Sequence, residues 1–257
     1  MNLVVAPSSE ALAERDILGV KVAVLDRTRA IRLIEDRLAS GAFTRLAFLN
    51  AHCSNMAWRD EKYRAALSNF LVLADGVGVD MASRALHGEE FPDNLNGTDF
   101  VPDLLSSIHA QQRVGLLGST RENVEKAAEG FRRIAPQHEF FVVSDGYFRE
   151  ADIPALLQRI GTLKIDILLV AMGVPKQEVF IAGQVHEGHV RIAAGVGALF
   201  DFISGAVPRA PLWVRDWRLE WAYRLLNEPF RLWRRYVIGN PVFIVRVYLR
   251  KLFGRNR

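Results

Sequence analysis

From about residue 44 to 204, short apolar runs alternate with segments of helical period. The runs are RLAFLN (45–50), FLVLAD (70–75), RVGLLG (113–118), EFFVVS (139–144), DILLVA (166–171) and VRIAAG (190–195). Each is followed by a turn and then a helix-like stretch, as in TRENVEKAAEGFRRI (120–134) and PKQEVFIAGQV (175–185). This is the pattern of strands covered by helices on both faces, and it predicts an open, doubly wound, mostly parallel α/β sheet of Rossmann-like type. The preceding ILGVKVAVLDRTRAIRLIEDRLAS predicts a short extended piece and then a helix from near Arg27 to Ser40–Gly41, packed on the sheet edge.

The pattern breaks at SGAVPRAP (204–211), where glycine and two prolines interrupt it. We therefore divide the chain into an α/β domain, 1–204, and a helical appendage, 205–257. Asn227 with Pro229, and Asn240 with Pro241, read as helix starts, giving tail helices over about 212–226, 228–238 and 241–253.

Charge separates the two parts further. Residues 1–204 carry 21 Lys/Arg and 26 Asp/Glu, a net of −5, whereas 205–257 carry 12 and 3, a net of +9. Four of the five tryptophans (Trp213, Trp217, Trp221, Trp233) also fall in the tail. A basic, aromatic appendage on an acidic body points to a polyanionic partner, either nucleic acid or an anionic membrane surface. Trp213, Trp217 and Trp221 repeat at helical spacing, which suits packing on the body as well as a bilayer interface. Trp233 and the last helix, PVFIVRVYLRKLF, are expected at the interface, where Arg246, Arg250 and Lys251 would each add about 1 kcal/mol near an anionic surface.

Half of the residues are apolar, enough for a full core. Cys53 is the single cysteine, so no intrachain disulfide can form and a reducing cytosol is the expected compartment. The opening MNLVVAPSSE lacks the basic and apolar regions of a secretion signal. No run of 18 apolar residues occurs, so the chain is expected to lie on a membrane rather than cross it.

In an open α/β sheet, ligands bind beyond the carboxyl ends of the strands, where loops and helix N-termini converge. The candidates there are Asn50, Asp75, Gly118–Ser119–Thr120, Asp145–Gly146–Tyr147, Gly173 to Gln177 and Gly195 to Asp201. GVGVDM (76–81) and GVGALF (195–200) begin like dinucleotide fingerprints but lack the third small residue, and no P-loop is present. No Asp-x-Asp pair exists to clamp a metal on a nucleotide sugar, and HEGH (186–189) is a poor ligand set, so no metal and no cofactor are expected. Cys53, opening a helix, reads as a small buried hydrophobe rather than a nucleophile. Asp75 is either a functional carboxylate at a strand end or the N-cap of the next helix. Gly173 and Pro175 either shape a strand-to-helix turn or present Lys176 and Gln177 to the cleft.

In order along the chain, LNAHCSNMAWRD, ADGVGVDMAS, NGTDFVPDLL, LLGSTRENVEKAA, DGYF, MGVPKQE, GVGALFDFISGAVPRAP and EWAYRLLNEPFRLWRR resemble the WecG/TagA/CpsF family of bacterial glycosyltransferases. The resemblance implies an inverting, metal-independent transferase acting in cell-surface or exopolysaccharide synthesis. It would move sugar from a UDP donor to a polyprenyl-diphosphate-linked saccharide at the cytoplasmic face of the bacterial cell membrane, as a peripheral protein. It gives Asp75 the role of general base, Asn50 and Gln177 contacts to nucleotide or sugar, and Arg224, Arg231 and Arg234 a role as tail cations on the UDP or on the acceptor diphosphate. Asn94, Thr98, Asp99, Gly118, Ser119, Tyr147, Gly173 and Lys176 complete the expected substrate site. Two positions depart from the family pattern: Phe48 stands where relatives commonly have threonine, and Asn94 where they often have arginine. The donor is then of the UDP-glucose or UDP-N-acetylmannosamine type, a uronic acid being disfavoured by the lost cation.

The chemistry fits these assignments, because inverting displacement needs a base on the acceptor hydroxyl and positive charge on the departing diphosphate. A nucleic-acid-binding protein is the alternative of a different class; the tail matches no known nucleic-acid module, so no nucleic acid partner is expected. A non-catalytic subunit of a polysaccharide assembly is the third reading, and a homo-oligomer is compatible with the sequence.

Overall fold

The computed structural model describes residues 12–254 apart from 212, 215, 216 and 218. The MNLVVAPSSE opening and part of the first expected tail helix lie outside the described residues. Strands β1 (Glu14–Ile17) and β2 (Val20–Ala23) form an antiparallel hairpin. Helix α1 spans Arg27–Ser40, its first turn capped by Asp26 and its end closed by Gly41 in the left-handed region at φ 76°. The predicted start and stop are both realised.

The apolar runs become β3 (Thr44–Leu49), β4 (Leu71–Ala74), β5 (Arg113–Gly118), β6 (Glu139–Ser144), β7 (Ile167–Ala171) and β8 (Ile192–Gly195). They pair in the order β4-β3-β8-β7-β5-β6, every pair parallel. Parallel neighbours require crossovers, which the amphipathic segments supply. These are α2 (Ala51–Arg59), α3 (Glu61–Leu67), α4 (Val77–His87), α5 (Gly97–Ser107), α6 (Arg121–Ile134), α7 (Ile153–Thr162), α8 (Lys176–Gln184) and α9 (Leu199–Ile203).

Alternation along each strand feeds two cores. Leu46 and Phe48 of β3 join α1, α5, α6 and α9 on one face, whereas Ala47 and Leu49 join α2, α3, α4, α7 and α8 on the other. The hairpin residues Ile17, Val20 and Val22 extend the second core, and β2 lies against the edge strand β4.

The tail differs from its predicted form. Helix α10 (Glu220–Asn227) is followed by α11 (Pro229–Trp233), a π turn over Arg234–Ile238 and α12 (Gly239–Phe253). Glu228 rather than Asn227 precedes α11. Asn240 caps nothing: the backbone stays helical from Pro229 to Phe253, and the wide π turn just before Pro241 absorbs a residue that cannot donate a backbone hydrogen bond.

Helix α12 docks on α2 and α4. Phe243 and Val247 enter the second core, each worth about 1.5–3 kcal/mol of burial. Asn55 Nδ2 donates to Gly239 O at 2.7 Å, and Arg246 donates to Asn55 Oδ1 at 2.6 Å while stacking over Trp58. One face of the last helix is therefore packed on the body, while its other face exposes Val245, Tyr248, Leu249, Leu252 and Phe253. Trp213, Trp217, Trp221 and Trp233 are all exposed, so core packing does not account for the first three. No helix among the described residues is long and apolar enough to cross a membrane.

Candidate active site

Asp75 follows the last residue of β4, and its amide extends the ladder by donating to Leu49 O at 2.9 Å. Gly76, at φ 89°, turns the chain into α4 and is itself the N-cap, with no side-chain cap bond. Asp75 is thus not spent on capping α4. Its Oδ2 accepts from Asn50 Nδ2 at 3.1 Å, while Asn50 Oδ1 caps α2 by accepting from Cys53 N at 3.0 Å. One amide side chain orients both a helix and a carboxylate. Asn94 Oδ1 accepts from Gly76 N at 2.8 Å, so Asn94 anchors the turn after Asp75.

Burial raises the Asp75 carboxyl above the ordinary aspartate range, against the opposing pull of Asn50, Arg235 and Arg224, and Asp99 raises it further. Tail and linker supply this charge. Arg224, on α10, lies over the Phe202 ring at 5.3 Å, and Arg235 sits in the π turn. Arg209 pairs with Asp99, and Glu220 is raised by burial with Arg209, Asp99, Asp75 and Arg224 all bearing on it. Carboxylates Asp75, Asp99 and Glu220 thereby share one electrostatic neighbourhood with guanidiniums Arg209, Arg224 and Arg235. The Nε atoms of those three arginines are buried and, among the described residues, lack a hydrogen-bond partner. Buried donors without acceptors are costly, and an anionic ligand is what would satisfy them. His52, on α2, is pushed down to about 4 by burial and by Arg235, which leaves a neutral imidazole beside the cluster.

Arg231 and Arg234 are placed differently. Both are exposed; Arg231 pairs with Glu228 at 2.6 Å and Arg234 lies over the Trp233 ring at 5.4 Å. Sequence reasoning missed Arg235, Arg209 and Glu220. Nothing in LWRRY distinguishes two adjacent arginines until a π turn sets which one faces inward. Arg209 and Glu220 carried a signal only in being charged residues beside the boundary.

The carboxyl ends of β5, β7 and β8 form a second wall. Gly118 has φ 130°, and a Cβ there would sit 2.3 Å from Ala171 O, so only glycine allows this approach. Ser119 Oγ donates to Asp201 Oδ1 at 2.8 Å, and Asn123 Nδ2 reaches the same oxygen at 3.1 Å. Asp145 accepts from the Tyr147 amide, leaving the tyrosine ring 81% exposed. Gly173, at φ 76°, and Lys176 are exposed, whereas Gln177 is buried. Gln177 Oε1 accepts from Gly197 N at 3.1 Å, and its Nε2 donates to Glu178 Oε1 at 2.8 Å. Thr98 and Asp99 lie half-buried in the first turn of α5, capped by Asn96. Phe48 points away from these groups, into the first core against Phe100. Cys53 is buried and its thiol pushed up to about 12, first by burial, which suits packing and not nucleophilic attack.

The arrangement offers a proton acceptor held at a strand end, cations with unspent donors facing it, and a loop wall across the sheet edge. The profile of the Glycosyl transferase WecG/TagA/CpsF family matches residues 15–257. A Bacillus spizizenii protein, N-acetylglucosaminyldiphosphoundecaprenol N-acetyl-beta-D-mannosaminyltransferase, is 34% identical over 80% of this chain and 79% of its own. Proteins of the same name are similar at 32% identity in Bacillus subtilis, over 79% of this chain and 78% of that one, and at 30% in Staphylococcus aureus, over 91% and 92%.

Proposed function

Because the chain belongs to the WecG/TagA/CpsF family of glycosyl transferases, we propose that it transfers a sugar to a polyprenyl-diphosphate-linked saccharide. The donor is a UDP sugar of the N-acetylmannosamine type, a choice supported by the names of the relatives. The observation that carries the reading is Asp75, held by Asn50 and faced by Arg224 and Arg235.

In this reading Asp75 takes the proton from the acceptor hydroxyl as that oxygen attacks the anomeric carbon, and the bond to UDP breaks on the opposite face with inversion. Arg224 and Arg235 hold the departing diphosphate, with their unpaired Nε groups donating to it. Guanidinium groups meet the need for positive charge, which agrees with the lack of an Asp-x-Asp pair in the sequence. Arg231 and Arg234, exposed beside Phe230 and Trp233, serve the acceptor's diphosphate at an anionic membrane surface. The exposed apolar face of α12, with Arg250 and Lys251 in its last turn, rests on the same surface.

The test is transfer from UDP-N-acetylmannosamine and UDP-glucose to a synthetic prenyl-diphosphate N-acetylglucosamine, with and without EDTA. Inverted product from the first donor, undiminished by EDTA, is expected. No transfer from any UDP sugar to any prenyl-diphosphate acceptor would defeat the proposal, and loss with EDTA would defeat its metal-free form.

A further inference from the structure

Glu178 is 1% exposed in a helix whose other buried residues are Gln177, Phe180 and Ile181, and its role is unexplained by the reaction above. Its Oε1 accepts from Gln177 Nε2 at 2.8 Å, and its Oε2 is buried without a partner among the described residues. Gln177, 2% exposed, uses Oε1 to accept from Gly197 N at 3.1 Å. The two buried side chains approach β8 so closely that a Cβ on Gly195 would lie 2.9 Å from Gln177 Nε2 and 3.2 Å from Glu178 Oε1. Strand β8 therefore ends in a glycine that makes room for this pair.

A glutamine amide has one accepting and one donating end. Gly197 N–H can only donate, so it needs the oxygen; Glu178 Oε1 accepts, so it needs the nitrogen. The partners on the two sides fix a single orientation of the amide. Gly197 lies in the loop that leads from β8 into α9, and α9 carries Asp201, which holds Ser119 Oγ and Asn123 Nδ2 at the end of β5 in the same wall. A continuous set of contacts runs from Glu178 through Gln177 and the loop to the rim of the cleft.

We infer that Glu178 is a positioning residue: by holding the Gln177 amide in one orientation it fixes the loop 196–198, and with it the wall that receives the donor. Its bearing on catalysis rests on the transferase reading; its bearing on the loop does not. Glu178→Leu removes the acceptor. Glu178→Gln keeps it, since the new carbonyl oxygen can take the same hydrogen bond within nearly the same volume.

Two measurements separate the inference from the reading on which it rests. In full-length protein, amide exchange at Gly197 should speed up at least about tenfold in Glu178→Leu and stay near wild type in Glu178→Gln. In the transfer assay, Glu178→Leu should lower kcat/KM for the UDP donor by about 10–100-fold, chiefly through KM, and Glu178→Gln should remain within about threefold. In a Gln177→Leu background the added Glu178→Leu change should cost no more than about twofold, because its effect passes through Gln177. If Glu178→Leu does not fold, Glu178→Met takes its place. Unchanged Gly197 exchange in a folded apolar variant, an undiminished penalty in the Gln177→Leu background, or failure of Glu178→Gln to restore activity would each overturn the inference. A wild-type protein that transfers no sugar would defeat the transferase reading alone, because the exchange experiment still reports on the loop.

Discussion

The side chains at the strand ends of the α/β body and the cations of the linker and tail use their polar groups differently. In the body, Asn50, Asn94, Gln177 and Asp201 are each committed to scaffold hydrogen bonds, to Cys53 N, Gly76 N, Gly197 N and Ser119 Oγ respectively. In the linker and tail, Arg209, Arg224 and Arg235 keep a buried Nε without a partner among the described residues, and Phe230 and Leu226 stand 96% and 81% exposed. Buried atoms without a partner among the described residues occur in the body too, at Arg45 Nε, Ser54 Oγ and Glu178 Oε2, so the contrast is between these strand-end side chains and the cations around Asp75. A site that must hold a reacting hydroxyl accurately benefits from groups fixed beforehand, whereas gripping a polyanion requires donors that are still unsatisfied.

The sharpest test of this division is Asp75→Asn, which should lower kcat by about 10²–10⁴ while the protein stays folded. Full activity in that variant would remove Asp75 as the base. The pH dependence carries a sign. The carboxyl is raised, chiefly by burial, and a base must be unprotonated, so activity should fall on acidification above the ordinary aspartate range. For stability the same shift means that the Asp75 contribution is full below the unfolded value and is lost as pH rises through the folded one. Asp75→Asn should therefore gain stability relative to wild type as pH increases through that window, measured by urea unfolding at a series of pH values.

Next in size is Phe243→Ala, expected to cost about 3–5 kcal/mol because it empties a fully buried site between α2, α4 and the tail. Urea melts should show it, and turnover should fall with it as the tail loosens. A stable, active Phe243→Ala protein would mean that tail docking is dispensable. Arg224→Ala and Arg235→Ala should each cost roughly 10–100-fold in kcat/KM for the donor, the range of a charge-assisted contact to phosphate. Equal losses in Arg231→Ala or Arg234→Ala for the same donor would erase the distinction between inward and outward arginines. The smallest effect on stability is expected from Phe230→Ser, within about 0.5 kcal/mol, since the ring touches little. Its binding to vesicles containing anionic lipid should nonetheless weaken severalfold, and unchanged binding would locate the membrane contact elsewhere.

Much of the body is written locally. Strands β5 and β6 run over the predicted residues, and α1 starts and stops where Asp26 and Gly41 place its caps, because apolar period and capping chemistry act over a few neighbours. The family motifs likewise led to Asp75 and Asn50, and they predict which strand ends carry the chemistry. Their hydrogen bond to each other depends on β3 and β4 being adjacent in register, Leu49 opposite Ala74.

The sequence by itself determined the strands of the body, the parallel α/β class and the family, since each rests on residue patterns that survive without knowledge of distant contacts. Tertiary structure alone decided that Gly76 rather than Asp75 stands at the N-cap of α4, that Arg235 rather than its neighbour Arg234 turns toward the carboxylates, and that Gln177 is held by Glu178. It also decided that one face of the last helix belongs to the body. These choices depend on which groups meet across the fold, and on a π turn that shifts side-chain direction by a fraction of a helical turn, quantities that no local pattern encodes.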